Sequence, residues 1–138
     1  MNEPILSNIA EGTHAGNVTR TLEAVTTERY QVARQGSAAK GLLLGNTSAI
    51  PIGIITDEGT IGDSVNLALL GSASSSLLAV AGGTINAGDY IVSAASGRVG
   101  SLPSGSGTFY ILGQALSDAA SGQLVEFDPC VPVQRVVS

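Results

Sequence analysis

The sequence predicts an all-β fold: a small single-domain β-sandwich or barrel of short antiparallel strands, with an extended N-terminal arm and, as one alternative, two similar halves. Three observations lead to this prediction. Short apolar or β-branched runs alternate with clusters of Gly, Ser, Asn and Asp. The turn signals recur about every 8–12 residues, which is the spacing of a small sandwich or barrel. Long amphipathic helical patterns are absent, and 138 residues are enough for one domain with its own core.

The strands are predicted where apolar residues cluster between turn signals. In chain order they are Thr21–Val25, Tyr30–Ala33, Ile50–Thr56, Val65–Leu70, Leu77–Val80, Tyr90–Ser93, Tyr110–Ser117 and Leu124–Phe127. The breaks between them contain residues that tolerate a positive φ, at Gly45-Asn46, Glu58-Gly59, Gly82-Gly83, Gly88-Asp89, Ser96-Gly97 and Gly105-Ser106-Gly107. A short helical turn is expected near Asp118–Ser121.

Residues 1–17 are predicted to form an arm, followed by the β domain at residues 18–138. The arm carries an apolar patch at Ile5, Leu6 and Ile9. Such arms fray unless something holds them, and a neighbouring subunit and the parent domain both remain open as the partner. The N-terminus lacks the pattern of a signal peptide, and the apolar runs are too short to span a bilayer, so secretion and membrane insertion are not expected.

An offset of 60 residues aligns residues 26–68 with residues 86–128 without a gap. The identical pairs include Tyr30/Tyr90, Val32/Val92, Leu42/Leu102, Gly45/Gly105, Gly53/Gly113, Gly62/Gly122 and Val65/Val125. A Gly- and Ser-rich chain gives some matches by chance, so composition alone is one explanation. The other is a true repeat, in which two β units each bury an apolar face against the other.

The charge balance argues against nucleic-acid and membrane partners. The formal net charge is −5, and the six basic residues cannot neutralise many phosphates or bind an anionic membrane strongly. Arg20, Arg29 and Arg34 lie in one stretch with Lys40, whereas no basic residue occurs between Gly41 and Gly97. This asymmetry is typical of ordinary surface solvation, but it also fits a basic face that meets an acidic partner.

Residues suited to catalysis or metal binding are few and scattered, so we expect no enzyme, no cofactor and no metal. Cys130 and His14 are the only cysteine and histidine and lie far apart in the sequence. The carboxylates fall in turns or on a single strand face, where structural roles are the rule. The glycine-rich segments lack the spacing of phosphate-binding loops. The tyrosines could form a stacking platform, although core or rim positions are commoner for tyrosine in β domains.

The segment from Tyr30 to Glu126 resembles the capsid decoration, or cement, proteins of tailed bacteriophages. The resemblance rests on an ordered series of short pieces: Pro51-Ile52-Gly53-Ile54, Gly62-Asp63-Ser64-Val65-Asn66-Leu67, the stretch 81–89 (AGGTINAGD), Ser96-Gly97-Arg98-Val99, Ile111-Leu112-Gly113-Gln114-Ala115-Leu116 and Gly122-Gln123-Leu124-Val125-Glu126. Each piece is ordinary turn-and-strand sequence, and the order and spacing carry the resemblance.

The resemblance implies a β-rich virion protein that binds the outer surface of the assembled head, contacts the major capsid protein and stabilises the shell. It also implies self-association, commonly as trimers, and synthesis in the host bacterial cytoplasm. The candidate capsid or subunit interface residues are Ile5, Leu6, Ile9, Arg20, Arg29 and Arg34. Two alternatives stay open: another virion module, such as a head-fibre base or a tail component, and a carbohydrate- or ligand-binding β module.

Overall fold

The computed structural model describes residues 16–73 and 75–138, and in this part of the chain the fold is all-β, as predicted. The strands are β1 (Asn17–Leu22), β2 (Gln31–Gln35), β3 (Gly41–Leu44), β4 (Pro51–Ile55), β5 (Ser64–Leu69), β6 (Leu77–Val80), β7 (Tyr90–Ser93), β8 (Val99–Ser101), β9 (Gly107–Ala115) and β10 (Leu124–Val137). Two 3-10 turns lie at Leu70–Ser72 and Ala95–Gly97. No helix in these two stretches is long and apolar enough to cross a membrane.

The structure differs from the sequence prediction at several boundaries. Asn17, which the prediction assigned to the arm, begins β1, and the carbonyl of the preceding Gly16 accepts a hydrogen bond from the Leu69 N–H (2.8 Å). Strands β3 and β8 were not predicted, and β10 continues ten residues past Phe127, to Val137. The helical turn expected near residues 118–121 is wrong, since Ala119 forms an antiparallel bridge with Ile85 instead.

The first five strands form a closed barrel in the order β1-β3-β2-β4-β5. Most neighbours are antiparallel, but β1 and β3 run parallel and pair Thr21 with Gly41 and Leu22 with Leu42. The last five strands form an open sheet in the order β6-β10-β9-β7-β8. Because the barrel is closed, its order can also be written from β3 onward, as β3-β2-β4-β5-β1. The second half has the order β8-β7-β9-β10-β6, so each of its strands corresponds in position to the strand five numbers lower in the first half.

Backbone hydrogen bonds recur between the two halves with nearly the same spacing. The Thr56 N–H donates to the Asn66 carbonyl (3.1 Å), and 60 residues later the Leu116 N–H donates to the Glu126 carbonyl (2.8 Å). Gly62 and Gly122 both have a positive φ, of 93° and 85°. The 60-residue spacing therefore describes the segment from β4 to β5 well.

The spacing fails around β2, where the gap-free alignment matched Tyr30 with Tyr90. The Tyr30 N–H donates to the Ile55 carbonyl (3.0 Å), and the corresponding bond to the Ala115 carbonyl comes from the Gly88 N–H (2.8 Å). Tyr30 and Gly88 also share a positive φ, of 66° and 92°. Gly88, not Tyr90, thus occupies the position of Tyr30, and a repeat with the boundaries 26–68 and 86–128 stays a prediction.

The interior consists of two apolar clusters. One fills the barrel and contains Val18, Leu22, Ala33, Leu42, Ile55, Val65 and Leu67. The other fills the second half around Phe127, Leu112 and Ile91, and it also contains Val32, Ile54 and Leu70 from the first half. The open side of the second sheet is therefore covered by apolar side chains of the barrel, which makes the two halves one domain.

Polar contacts also join the halves. The fully buried Gln31 accepts hydrogen bonds at Oε1 from the N–H groups of Thr27 (2.9 Å) and Glu28 (3.4 Å). Its Nε2 donates to Thr27 Oγ1 (2.9 Å) and to the Ser96 carbonyl (2.9 Å). Beside it, Arg98 forms a two-pronged ion pair with Glu28, with Nε 2.8 Å from Oε1, and this carboxylate raises the pKa of the guanidinium.

Candidate interaction surface

The last part of the chain forms a two-stranded ribbon that extends past the rest of the second sheet. We define the C-terminal ribbon as residues 107–110 of β9 and 133–137 of β10; residues 134–137 pair with 110–107, and Val133 pairs with Ile111. Strand β7 pairs with β9 only from Ile111 to Gln114, and β6 pairs with β10 only from Leu124 to Phe127. Within the described residues, both outer edges of the ribbon therefore carry backbone groups without a neighbouring strand, a common template for further strand pairing.

The ribbon begins where the register of β10 breaks, between Pro129 and Val133. Pro129 and Pro132 cannot donate backbone hydrogen bonds, so this segment bulges out of the ladder. Val131 in the bulge is 65% exposed. Its side chain also covers Gly71, where a Cβ atom would lie 3.0 Å from Val131 Cγ2. The bulge thus re-aims β10 and leaves apolar groups at the surface.

A shallow groove of about 460 Å³ lies beside the bulge. It is lined by the buried Ile111 and Gly113 and by the exposed Tyr90, Val133 and Arg135, among others. A Cβ atom at Gly113 would overlap the backbone carbonyl of Asp128, so only glycine lets β9 and β10 approach this closely. We call this feature the C-terminal groove.

Several exposed apolar side chains lie in or near this groove. Tyr90, Val133 and Val136 have 54%, 52% and 64% of their surface exposed. Single exposed apolar residues are normal, but several around one groove, next to a ribbon with free edges, are typical of an interaction site. Sequence reasoning missed this surface because it ended the last strand at Phe127, although the valine-rich run to Val137 was a visible signal.

The three arginines predicted to form a basic face lie on different elements and bond to different carbonyls. Arg20 is half-buried in β1, and its Nη1 donates to the Thr19 carbonyl (3.1 Å). Arg34 in β2 donates from Nε to the Leu44 carbonyl (2.9 Å). The exposed Arg29 precedes β2; its Nε donates to the Thr56 carbonyl (3.2 Å), and its guanidinium lies 4.9 Å from the centre of the Tyr30 ring.

The apolar patch predicted in the arm, at Ile5, Leu6 and Ile9, lies outside the described residues. His14 lies outside them as well. The proposal that the arm holds a neighbouring subunit therefore rests on the sequence alone.

Several carboxylates hold turns. Glu23 accepts hydrogen bonds from the Ser37 N–H and hydroxyl and from the Ala38 N–H (2.7–2.9 Å), and these bonds lower its pKa. Asp89 accepts from the Asn86 N–H and from the Ser101 hydroxyl, which lowers its pKa in the same way.

The second half holds the lone thiol. Cys130 is half-buried beside the groove, and burial raises the pKa of its thiol. Among the described residues, no group of three or more His, Cys, Asp or Glu side chains is placed to hold a metal ion.

Comparison with known proteins identifies the family. The sequence model of phage cement proteins matches residues 10–128, which include both halves of the fold up to the start of the bulge. Among solved structures, the chain is similar to the N base of the head fibre protein gp8.5 of bacteriophage phi29, with 21% identity, a TM-score of 0.62, and coverage of 82% of this chain and 92% of that one. No curated protein matches. Because the family match spans most of the sequence, the chain belongs to the phage cement protein family and is a structural protein of the phage virion.

Proposed function

We propose that this protein binds the outer surface of the assembled phage head, contacts the major capsid protein and reinforces the shell. The observation that carries the proposal is the cement-family match over residues 10–128. A protein that binds the assembled lattice and not its free subunits stabilises the lattice by its binding free energy. The protein is made in the host bacterial cytoplasm and joins the shell there.

The low charge and the exposed apolar groups of the second half suit such a role. Only 12% of the residues are charged, so a contact desolvates few ionic groups. The family resemblance suggests that the protein self-associates as trimers. Several weak contacts with one lattice are then linked, and avidity raises the total affinity.

Two groups of residues are proposed to contact the capsid or a neighbouring subunit. The first is the arm patch of Ile5, Leu6 and Ile9, and the second comprises Arg20, Arg29 and Arg34. Arg29 is the most exposed of the three arginines and is the best placed to reach an acidic surface.

Co-sedimentation with expanded capsids that lack the protein tests the main proposal, with unexpanded shells as the control. Saturable binding to expanded capsids supports it, and the saturation ratio gives the number of copies per capsomer. An absence of binding to both kinds of shell would contradict it.

Separate variants test the two proposed groups of contact residues. Deleting residues 1–12 should weaken binding without lowering the melting temperature of the free protein, and unchanged capsid occupancy would exclude the arm. Arg29→Gln should weaken binding, whereas Lys40→Gln serves as a matched loss of one positive charge from the same part of the sequence.

A second candidate function is the base of a head fibre, favoured by the likeness to the phi29 head fibre base. Both functions place the protein on the head, so co-sedimentation does not separate them. Electron microscopy of decorated heads does: a fibre base gives density that projects well beyond a domain of this size, and a cement protein gives a low layer over the capsomers.

A further inference from the structure

Two exposed side chains of opposite charge line the C-terminal groove. They are Asp128 and Arg135, and neither side chain has a hydrogen-bond or ion-pair partner among the described residues. We infer that a second copy of this chain covers the C-terminal groove, with Asp128 of each copy paired to Arg135 of a neighbouring copy.

The separation of the two charges suits such a pairing. Asp128 lies opposite Gln114 and Arg135 opposite Phe109, so they are five residues apart along β9, or about 17 Å. This distance is too long for the two side chains to bond to one another. It is well suited to a neighbouring copy placed so that its Arg135 lies near this Asp128. A surface that carries both signs in this way can meet the same surface of another copy.

The backbone provides a second argument. Among the described residues, 107–110 and 134–137 pair only with one another, and a two-stranded ribbon alone is marginally stable in water. A second copy offers an identical ribbon, whose edges supply donors and acceptors in the same spacing. Strand pairing between identical edges would satisfy backbone groups on both copies at once.

The apolar side chains supply the third argument. Tyr90 and Val133 border the groove beside the two charges and are more than half exposed. Covering them removes apolar surface from water and strengthens the neighbouring ion pairs by excluding solvent. A contact of this composition, with an apolar centre and charges at its ends, is typical of a specific protein interface.

This inference deepens the proposed self-association of the cement protein and rests on it. A capsid surface would need its own matching pair of charges, whereas a second copy supplies both by symmetry. We therefore assign the groove to a second copy, and binding of the groove to the capsid becomes an outcome of the test.

The test measures self-association of the full chain by sedimentation velocity over a range of concentrations. The variants are Asp128→Arg, Arg135→Asp and the double charge exchange. Glu58→Arg is the matched control, because Glu58 is an exposed acid on the barrel, far along the chain from the groove. The three side chains involved are exposed, so we expect these variants to fold, and circular dichroism checks this.

Wild type and Glu58→Arg should associate equally. Each groove single variant should associate at least about tenfold more weakly, because like charges then face each other, and the double exchange should restore association. High salt should weaken the wild-type association and not that of a variant without the charge pair.

The inference is overturned if wild type stays monomeric, if the single variants associate as wild type does, or if the double exchange is as weak as the singles. Co-sedimentation of the same variants with capsids separates this failure from failure of the proposed function. Wild-type capsid binding without self-association overturns only the assignment of the groove, and weaker capsid binding by monomeric groove variants would assign the groove to the capsid.

Discussion

Replacing Gln31 by methionine should destabilise the protein by about 2–4 kcal/mol, because Gln31 is the buried polar group that ties the loop before β2 to the second half. Methionine has a similar length but cannot replace the amide. Three of the four side-chain hydrogen bonds of Gln31 are 2.9 Å long, and the fourth, from the Glu28 N–H, is 3.4 Å and contributes little. At about 0.5–1.5 kcal/mol for each good bond, the loss reaches the stated range. Thr27 and Ser96 are exposed, so water can replace some of the lost hydrogen bonds, and we do not expect a destabilisation above this range.

Urea unfolding followed by circular dichroism measures this effect, with Gln35→Met as the matched control. Gln35 lies in the same strand but is exposed, and its Nε2 donates to the Ala38 carbonyl (2.8 Å) in the hairpin loop. The control should lose less than about 1 kcal/mol. The expected loss for Gln31→Met corresponds to a fall in melting temperature on the order of 10 °C. Equal destabilisation by the two substitutions would refute the argument that the buried amide joins the halves.

Three further predictions concern the strands and the turns. Gly113→Ala should lower the free energy of unfolding in urea by at least about 2 kcal/mol, because the new Cβ would overlap the Asp128 carbonyl. Gly100→Ala is the control and should be neutral or stabilising, because no atom lies within 4 Å of the new Cβ. A neutral Gly113→Ala would contradict the close approach of β9 and β10. Phe127→Ala should cost about 3–5 kcal/mol by the same measurement, because Phe127 is fully buried in the core that both halves share, and a loss below 1 kcal/mol would place it outside that core. The pKa of Glu23 is lowered in the folded state, so its contribution to stability is complete above its ordinary pKa of 4.5 and is lost as the pH falls through the folded value; Glu23→Gln should therefore shift the urea midpoint at pH 7 more than at pH 3, and equal shifts would exclude this role.

The sequence predicted the fold class because the signals for strands and turns lie in short stretches of neighbouring residues. Glycine turns and short apolar runs fixed most strands, and Gly62 and Gly122 were visible as equivalent turn positions. Strand β8 was not predicted because three residues with glycine at the centre carry little periodic signal. The closure of the barrel could not be predicted from the sequence either, because the parallel pairing of β1 with β3 depends on long-range packing and leaves no local sequence pattern.

The candidate interaction surface was harder to predict for a specific reason. Pro129 and Pro132 indicate the end of a strand when they are read in sequence. In the structure Pro129 still lies opposite Gly113 and Pro132 lies in the bulge that follows, after which β10 resumes and pairs with the start of β9. Identical residues also gave a wrong local alignment of the halves. Tyr90 is the same residue type as Tyr30, but Gly88 is the residue that has the hydrogen bond and the positive φ of Tyr30.

The two halves differ most where the ribbon lies. In the first half, β1 pairs with β3 at two positions and closes the barrel, and β5 ends at Leu69. In the second half, β6 and β8 are linked only through the single bridge between Ala81 and Val99, and β10 continues to Val137. Among the described residues, the barrel thus pairs the edges of its own sheet, whereas the second half has free strand edges at its end, next to the exposed Val133 and Val136 and to two charged side chains without a partner. Since a stable barrel on one side supports an open surface on the other, we expect substitutions in the barrel core to change stability and substitutions on the ribbon to change association.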